Sequence, residues 1–331
     1  MAISTRRVAA IVDRHALERR TIAEKLIRLL LGMWGSFDDW YDSDLVTAQS
    51  ARSSVYVDAA LKQSRRLSRA YMLAVLREIG AQTPTLDPID DLYPRANIDM
   101  LEVYQRPAVQ YRYALSQGKS VQQARDVAER RLKDLVETDL GIVNRDEARV
   151  VMSAAPLVIG YRRVIHPELS ESGTCGLCVV AASNYYSSDD LLDIHDECKC
   201  ETMPITAAAD PGLQLNREDL DRIYEGAGGN DRDSLKEVRI AIGMHGEIGP
   251  VLVREADHFR DPAEIGRAPY SPPTPAQQFE KLSERKVLID RTIDSLEERL
   301  AKGDGDPTKL RTALLSTRVV ANSISQRLGG A

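Results

Sequence analysis

Four cysteines within 26 residues constrain the fold of this 331-residue chain more than any other sequence feature. They form a C-x-x-C pair, a 19-residue spacer and a C-x-C pair, with a histidine three residues before the second pair. Two thiolates at C-x-x-C spacing can bind one ion from a tight turn, which Gly176 favours. Sulfur and imidazole ligands in a tetrahedral array suit zinc, so the pattern predicts about one structural zinc ion per chain. The candidate ligands, five for four positions, are Cys175, Cys178, His195, Cys198 and Cys200.

The segment around these ligands, residues 166–204, has few large apolar side chains and several loop-forming residues. Ordering its backbone costs about 1–2 kcal/mol per residue. The small apolar surface that this segment can bury does not offset that cost. A structural zinc ion supplies on the order of 10 kcal/mol of folding free energy, so the metal is expected to hold this segment folded. Two disulfides, a redox-active C-x-x-C and an iron–sulfur cluster are the competing interpretations.

The order of the motif favours a structural metal over a catalytic one. Zinc deaminases also contain the H-x-E found at His195, but they place a P-C-x-x-C after it, whereas here the C-x-x-C comes first. His15 and His258 have no carboxylate or nucleophile at a meaningful spacing, and a glycine-rich turn explains His245. The sequence has no nucleophile elbow, phosphate-binding loop or H-E-x-x-H motif. It therefore predicts no catalytic residue and no enzyme.

Apolar residues at helical spacing predict that most of the first 160 residues are helical. One long helix is expected from about Asp44 to Ile79, with Gly80 as its end. Another is expected to begin near Ala96, where Pro107 should kink or divide it.

Two capping boxes predict further helix starts. Ser120 with Gln123, and Asn144 with Glu147, each precede an apolar stripe. Neighbouring amphipathic helices joined by short links are typical of a bundle or a helical stalk.

The second half of the chain has weaker signals. Asn216 is expected to cap a short helix ending near Gly226, and two apolar runs around 243–246 predict a small β-hairpin. Beyond a proline-rich linker at 271–275, two apolar stripes separated by a turn at 303–307 predict an antiparallel helical hairpin. The apolar seam of this hairpin needs a partner surface, either within the hairpin itself or on another subunit.

These patterns predict a mainly α protein with an elongated helical N-terminal region. The centre is expected to be a small α+β zinc knuckle with a short β-hairpin, followed by the C-terminal antiparallel helical hairpin. The five expected segments are an N-terminal helical region (1–94), helices leading into the core (95–165), the Cys/His zinc knuckle (166–205), a small α+β segment with the hairpin (206–270), and the linker with the helical hairpin (271–331).

The charge distribution argues against a nucleic-acid-binding protein. The net charge is −6, with 25 basic and 21 acidic side chains in residues 1–165 and 19 and 29 in the remainder. A mildly basic half and an acidic half fit docking between protein subunits better than a nucleic-acid surface. No apolar run reaches the roughly 18 residues of a membrane span, and the N-terminus is a poor signal peptide, so a cytoplasmic protein is expected.

Three stretches resemble the phage Mu F-like minor head protein family, and most closely its members from tailed phages of actinobacteria. The typical pattern is a long helical region followed by C-x-x-C, a spacer, H-x-x-C-x-C and a proline. The matching stretches are Tyr161–Glu168, Thr174–Cys178 and His195–Cys200 with Pro204 close behind, and residues 244–252 are also similar. The resemblance covers about residues 95–255; the N-terminal helices agree only in character, and the C-terminal hairpin lies outside it.

The resemblance implies a minor capsid or head-morphogenesis protein that docks to the portal protein and the major capsid protein. Such a protein is found in the host cytoplasm during assembly and then in the virion head, where any association with packaged DNA is indirect. Some relatives are labelled capsid maturation proteases, so a protease or other metal-dependent hydrolase is the alternative. A zinc-containing nucleic-acid-binding module is the second alternative.

Overall fold

A computed structural model describes residues 5–89, 92–166, 176–187, 200–226, 240–254, 259 and 262–329. It confirms a mainly helical protein with a small antiparallel sheet. The helices are α1 (Thr5–Gly35), α2 (Ser43–Glu78), α3 (Met100–Ser116), α4 (Val121–Ala154), α5 (Gly176–Ser183), α6 (Pro211–Gly226), α7 (Pro275–Lys302) and α8 (Pro307–Gly329). The strands are β1 (Val158–Val164), β2 (Tyr185–Tyr186), β3 (Glu201–Thr206), β4 (Ile240–His245) and β5 (Gly249–Arg254), and a 3₁₀ turn covers Pro262–Ile265.

Two local signals in the helical region are confirmed. Helix α2 ends one residue before the predicted end, and Gly80 has the positive φ of 73° that favours glycine after a helix. The capping box at the start of α4 is present: the Gln123 N–H donates to Ser120 Oγ at 3.2 Å, and the Ser120 N–H donates to Gln123 Oε1 at 2.9 Å.

No helix boundary lies at Pro107 or at Asn144. Pro107 lies buried inside α3 and does not divide it, because one face of α3 is buried along its whole length and this packing outweighs the lost hydrogen bond. Helix α4 runs through Asn144 without a new start. The Asn144 Oδ1 accepts hydrogen bonds from Ser64 and Ser68 of α2, and Glu147 pairs with Arg69, so the expected capping residues make tertiary contacts instead.

The chain forms two compact units assembled from segments far apart in sequence. Unit 1 comprises residues 1–22, 62–90 and 140–270, and unit 2 comprises residues 23–61, 91–139 and 271–331. Helices α1, α2 and α4 contribute residues to both units.

Unit 1 packs apolar faces of its helices on the three-stranded sheet β2–β1–β3, which is antiparallel throughout. Burial of each large aliphatic side chain contributes about 1.5–3 kcal/mol. The core includes Val8, Val12, Met72, Val75, Leu76, Val151, Met152, Tyr161, Val164 and Met203.

Gly160 allows β2 to lie close against β1. A Cβ atom at this position would stand 2.3 Å from the Tyr186 carbonyl oxygen and 2.6 Å from Cε2 of the Tyr185 ring. Only glycine leaves room for the tyrosine ring to cover the strand here.

The β4–β5 pair in unit 1 is antiparallel, with His245 opposite Gly249. His245 is the last residue of β4 and not, as expected, part of the turn. Its Nδ1 accepts the N–H groups of Glu247 at 3.1 Å and Ile248 at 3.4 Å, so it stabilises the turn from the end of the strand. His258 lies outside the described residues.

In unit 2, the α7–α8 seam packs on other helices of the same chain. Val320 and Ile324 of α8 share a buried cluster with Ala51 of α2 and Leu101 of α3. The neighbouring cluster joins Leu45 to Leu296, Leu310 and Leu314.

Partly buried ion pairs reinforce this attachment of the hairpin. The Arg285 guanidinium donates to Asp99 at 2.6 Å, and Arg299 donates to Asp42 at 2.7 Å. Within the described ranges, no helix has the length and apolar character needed to cross a lipid bilayer.

Candidate metal centre

The structure describes two of the five predicted metal ligands. Cys178 lies in the first turn of α5, and Cys200 comes immediately before β3. Cys175, His195 and Cys198 lie outside the described residues. The second cysteine of the C-x-x-C therefore belongs to a short helix, α5, that the sequence analysis did not predict. This helix is apolar and packs on β1 and α6, so its sequence lacks the amphipathic pattern that indicates a helix.

Strand β1 connects the two halves of the cysteine motif. It pairs with β3 through Val164 opposite Glu201, next to Cys200, and α5 packs against it. This strand contains residues 161–164, half of the Tyr161–Glu168 stretch of the family resemblance, and its residues from Gly160 to Val164 are all buried.

Arg162 of β1 holds the C-terminal end of α5. Its Nη1 donates to the carbonyl oxygens of Ser183 and Asn184, both at 3.1 Å, and its Nη2 donates to Asp210 at 2.6 Å. Carbonyl groups at a helix C-terminus lack intrahelical partners and carry partial negative charge, so the buried guanidinium satisfies and stabilises them.

Asn216 holds the same region together from α6. Its Nδ2 donates to the carbonyl oxygens of Arg163 at 2.7 Å and Ala182 at 3.2 Å, and its Oδ1 accepts the Ile165 N–H at 3.1 Å. The expected role of Asn216 as a helix cap is wrong: α6 begins five residues earlier, and the buried amide links β1, α5 and α6.

A buried polar cluster surrounds Glu201, the first residue of β3. His15 Nδ1 lies 2.7 Å from Glu201 Oε2, and Arg19 Nη1 donates to Glu201 Oε1 at 2.7 Å. The His15 ring stacks on Tyr71 with centroids 4.0 Å apart, and the Tyr71 hydroxyl donates to the Thr202 carbonyl at 2.9 Å.

The charges in this cluster keep Glu201 ionised. Burial alone would raise the pKa of this carboxyl group, but Arg19 and His15 outweigh burial and lower the pKa to about 2. Burial, and then the charge of Glu201, raise the pKa of Tyr71 well above its ordinary value, so its hydroxyl remains a donor at neutral pH.

The sequence shows no carboxylate at a meaningful spacing from His15, yet the structure gives this histidine a carboxylate partner. Its partner lies 186 residues away in sequence, and no local spacing could have revealed the pair. The only sequence signal was the helical spacing of His15 and Arg19, which places both side chains on one face of α1.

This cluster is closed to substrates. His15 is 4% exposed and Glu201 is 2% exposed, and Tyr71 covers the imidazole face. A histidine oriented by a carboxylate is part of many catalytic sites, but the base must also reach a substrate. In these surroundings, the histidine and glutamate connect helix α1 to strand β3.

The described cysteines suit a structural zinc ion in their chemistry and surroundings. Cys178 is 5% exposed and Cys200 is 9% exposed, as in closed structural sites, which keep solvent away from the metal. Among the residues that the structure describes, no three His, Cys, Asp or Glu side chains are grouped to hold a metal. Cys178 and Cys200 would hold the ion with ligands from Cys175, His195 and Cys198.

Comparisons of the chain with protein-family models, curated proteins and solved structures gave no match. The resemblance to Mu F-like minor head proteins thus rests on the motif residues alone.

Proposed function

We propose that this protein is a minor head protein of a tailed phage, in which a structural zinc ion holds the central fold. The observation that carries the proposal is the order of the motif: a helical region, β1, C-x-x-C, H-x-x-C-x-C and a proline. In this proposal the protein binds portal and major capsid subunits during head assembly, and the metal has no part in a reaction.

The packing of unit 1 supports a structural role for the motif. Arg162 and Asn216 are buried and each join two or more segments of the motif region, and the buried Glu201 joins β3 to α1. Buried, hydrogen-bonded polar groups of this kind stabilise a unique arrangement. The two described cysteines, Cys178 and Cys200, are also buried.

A binding experiment tests the proposed partners. The full chain should be co-expressed with the portal protein and, separately, with the major capsid protein of the same phage, and complexes isolated by size-exclusion chromatography. We expect a complex with the portal protein that survives physiological salt. If the chain formed a complex with neither the portal protein nor the major capsid protein, the proposal would be contradicted.

Two further measurements separate the alternatives. Cleavage of the major capsid precursor by the purified chain, abolished by one point substitution, would favour the maturation protease. Binding to duplex DNA that weakens steeply with salt would favour the nucleic-acid-binding module. We expect neither activity, and about one zinc ion per chain by elemental analysis after purification under reducing conditions without chelator.

A further inference from the structure

Helix α1 contacts the backbone beside Cys200 directly. The Arg19 Nη1 that binds Glu201 also donates to the Cys200 carbonyl oxygen at 3.3 Å. His15, one helical turn before Arg19, contacts the other oxygen of the same carboxylate. We call this group, His15 and Arg19 with Glu201, the α1 clamp.

The α1 clamp and Tyr71 fix three consecutive residues of the chain. Arg19 holds the carbonyl of Cys200, the carboxylate of Glu201 is bound on both oxygens, and Tyr71 holds the carbonyl of Thr202. Strand pairing with β1 begins at Glu201, so Cys200 lies just outside the ladder. Its backbone is therefore held by a side chain of α1.

We infer that the α1 clamp positions Cys200 for metal binding, although no part of the clamp is itself a ligand. The inference rests on the proposed zinc site. A ligand whose backbone is already ordered loses less entropy when the ion binds, so affinity is higher. Partners outside the ligand set typically account for 10–100-fold in metal affinity.

The chain offers a close control for a test of Arg19. Arg69 of α2 pairs with buried Glu147 and donates to a backbone carbonyl, that of Asp87, at 2.6 Å. Side-chain exposures are 18% and 3% for the Arg19–Glu201 pair, and 17% and 3% for the Arg69–Glu147 pair. Both pairs belong to unit 1, but Arg69 donates to Glu147 and Asp87 instead of to residues 200–202.

Zinc affinity of the full-length Arg19→Gln and Arg69→Gln variants should be measured by competition with a chromophoric chelator. We expect Arg19→Gln to weaken zinc binding by about tenfold or more, and Arg69→Gln to leave it within about twofold of the wild type. The absorption spectrum of the cobalt(II)-substituted protein should change only in Arg19→Gln, because altered ligand geometry alters that spectrum. Equal losses in both variants, or no loss in Arg19→Gln, would overturn the inference.

A measurement on the wild-type protein decides the matter if Arg19→Gln does not fold. Because coupling is reciprocal, removal of zinc should loosen the α1 clamp. Hydrogen exchange after chelation should increase in residues 12–22 of α1 more than in residues 144–152 of α4. A uniform increase, or none, would overturn the inference while leaving the zinc proposal intact. A wild-type protein without zinc would overturn both.

Discussion

The substitution Asp139→Asn should strongly destabilise unit 2. Asp139 of α4 is fully buried, and its carboxylate accepts hydrogen bonds from Arg95 Nε at 2.6 Å and from the hydroxyls of Tyr93 at 2.9 Å and Tyr104 at 3.1 Å. Burial, and then the charge of Asp139, raise the pKa of both tyrosines well above the ordinary value, so both hydroxyls remain donors. Asparagine keeps the shape of the side chain but removes the charge opposite Arg95.

The expected loss in unfolding free energy is about 3–5 kcal/mol, because Arg95 would keep a buried charge without its carboxylate partner. The side chains of Arg95 and Asp139 are 5% and 1% exposed, so water cannot replace the lost interaction. The control is Glu297→Gln, the same carboxylate-to-amide change in an exposed pair with Arg318 in the same unit. Exposed pairs contribute about 0–1 kcal/mol.

Tryptophan fluorescence provides an assay for unit 2 alone. The two tryptophans of the chain, Trp34 and Trp40, both belong to unit 2 and are buried there. With a urea dependence of about 1–3 kcal/mol per M, the expected loss lowers the unfolding midpoint by about 1 M or more. If the unfolding midpoint of Asp139→Asn shifted no more than that of Glu297→Gln, this would refute the argument that Asp139 is needed to compensate the buried charge of Arg95.

Three further predictions concern the sheet, the C-terminal hairpin and the metal. Gly160→Ala should destabilise unit 1 by about 1–3 kcal/mol through overpacking, as seen by circular dichroism during urea unfolding, with the fluorescence transition unchanged. Burial raises the pKa of Asp42, but hydrogen bonds and the charge of Arg299 lower it below its usual value. The ionised Asp42 therefore stabilises the folded state fully above about pH 4, and this stabilisation is lost as the pH falls through the lowered pKa. The urea midpoint of unit 2 should therefore fall less steeply below pH 4 in Arg299→Gln, and equal slopes would contradict this. Cys175→Ser should lose zinc and become sensitive to proteolysis within 167–204 while keeping most of its helicity, and a protected, zinc-loaded variant would contradict the structural role.

The sequence determined those features that depend on neighbours a few residues apart. Helix α2, its end at Gly80, and the capping box of Ser120 and Gln123 are confirmed because helical periodicity and capping are local. The grouping of four cysteines and a histidine is also a property of the sequence. Of that group, the structure describes Cys178 and Cys200, and the complete ligand set stays a prediction.

Only the tertiary structure decided how polar side chains are used over long separations. Asn144 and Asn216 have the chemistry of helix caps, yet both are buried inside helices and bind other segments. His15 and Glu201 meet across 186 residues, a contact that no periodicity or motif predicts. A side chain that can cap a helix can equally satisfy a distant buried group, and the partner it takes depends on which apolar faces pack together.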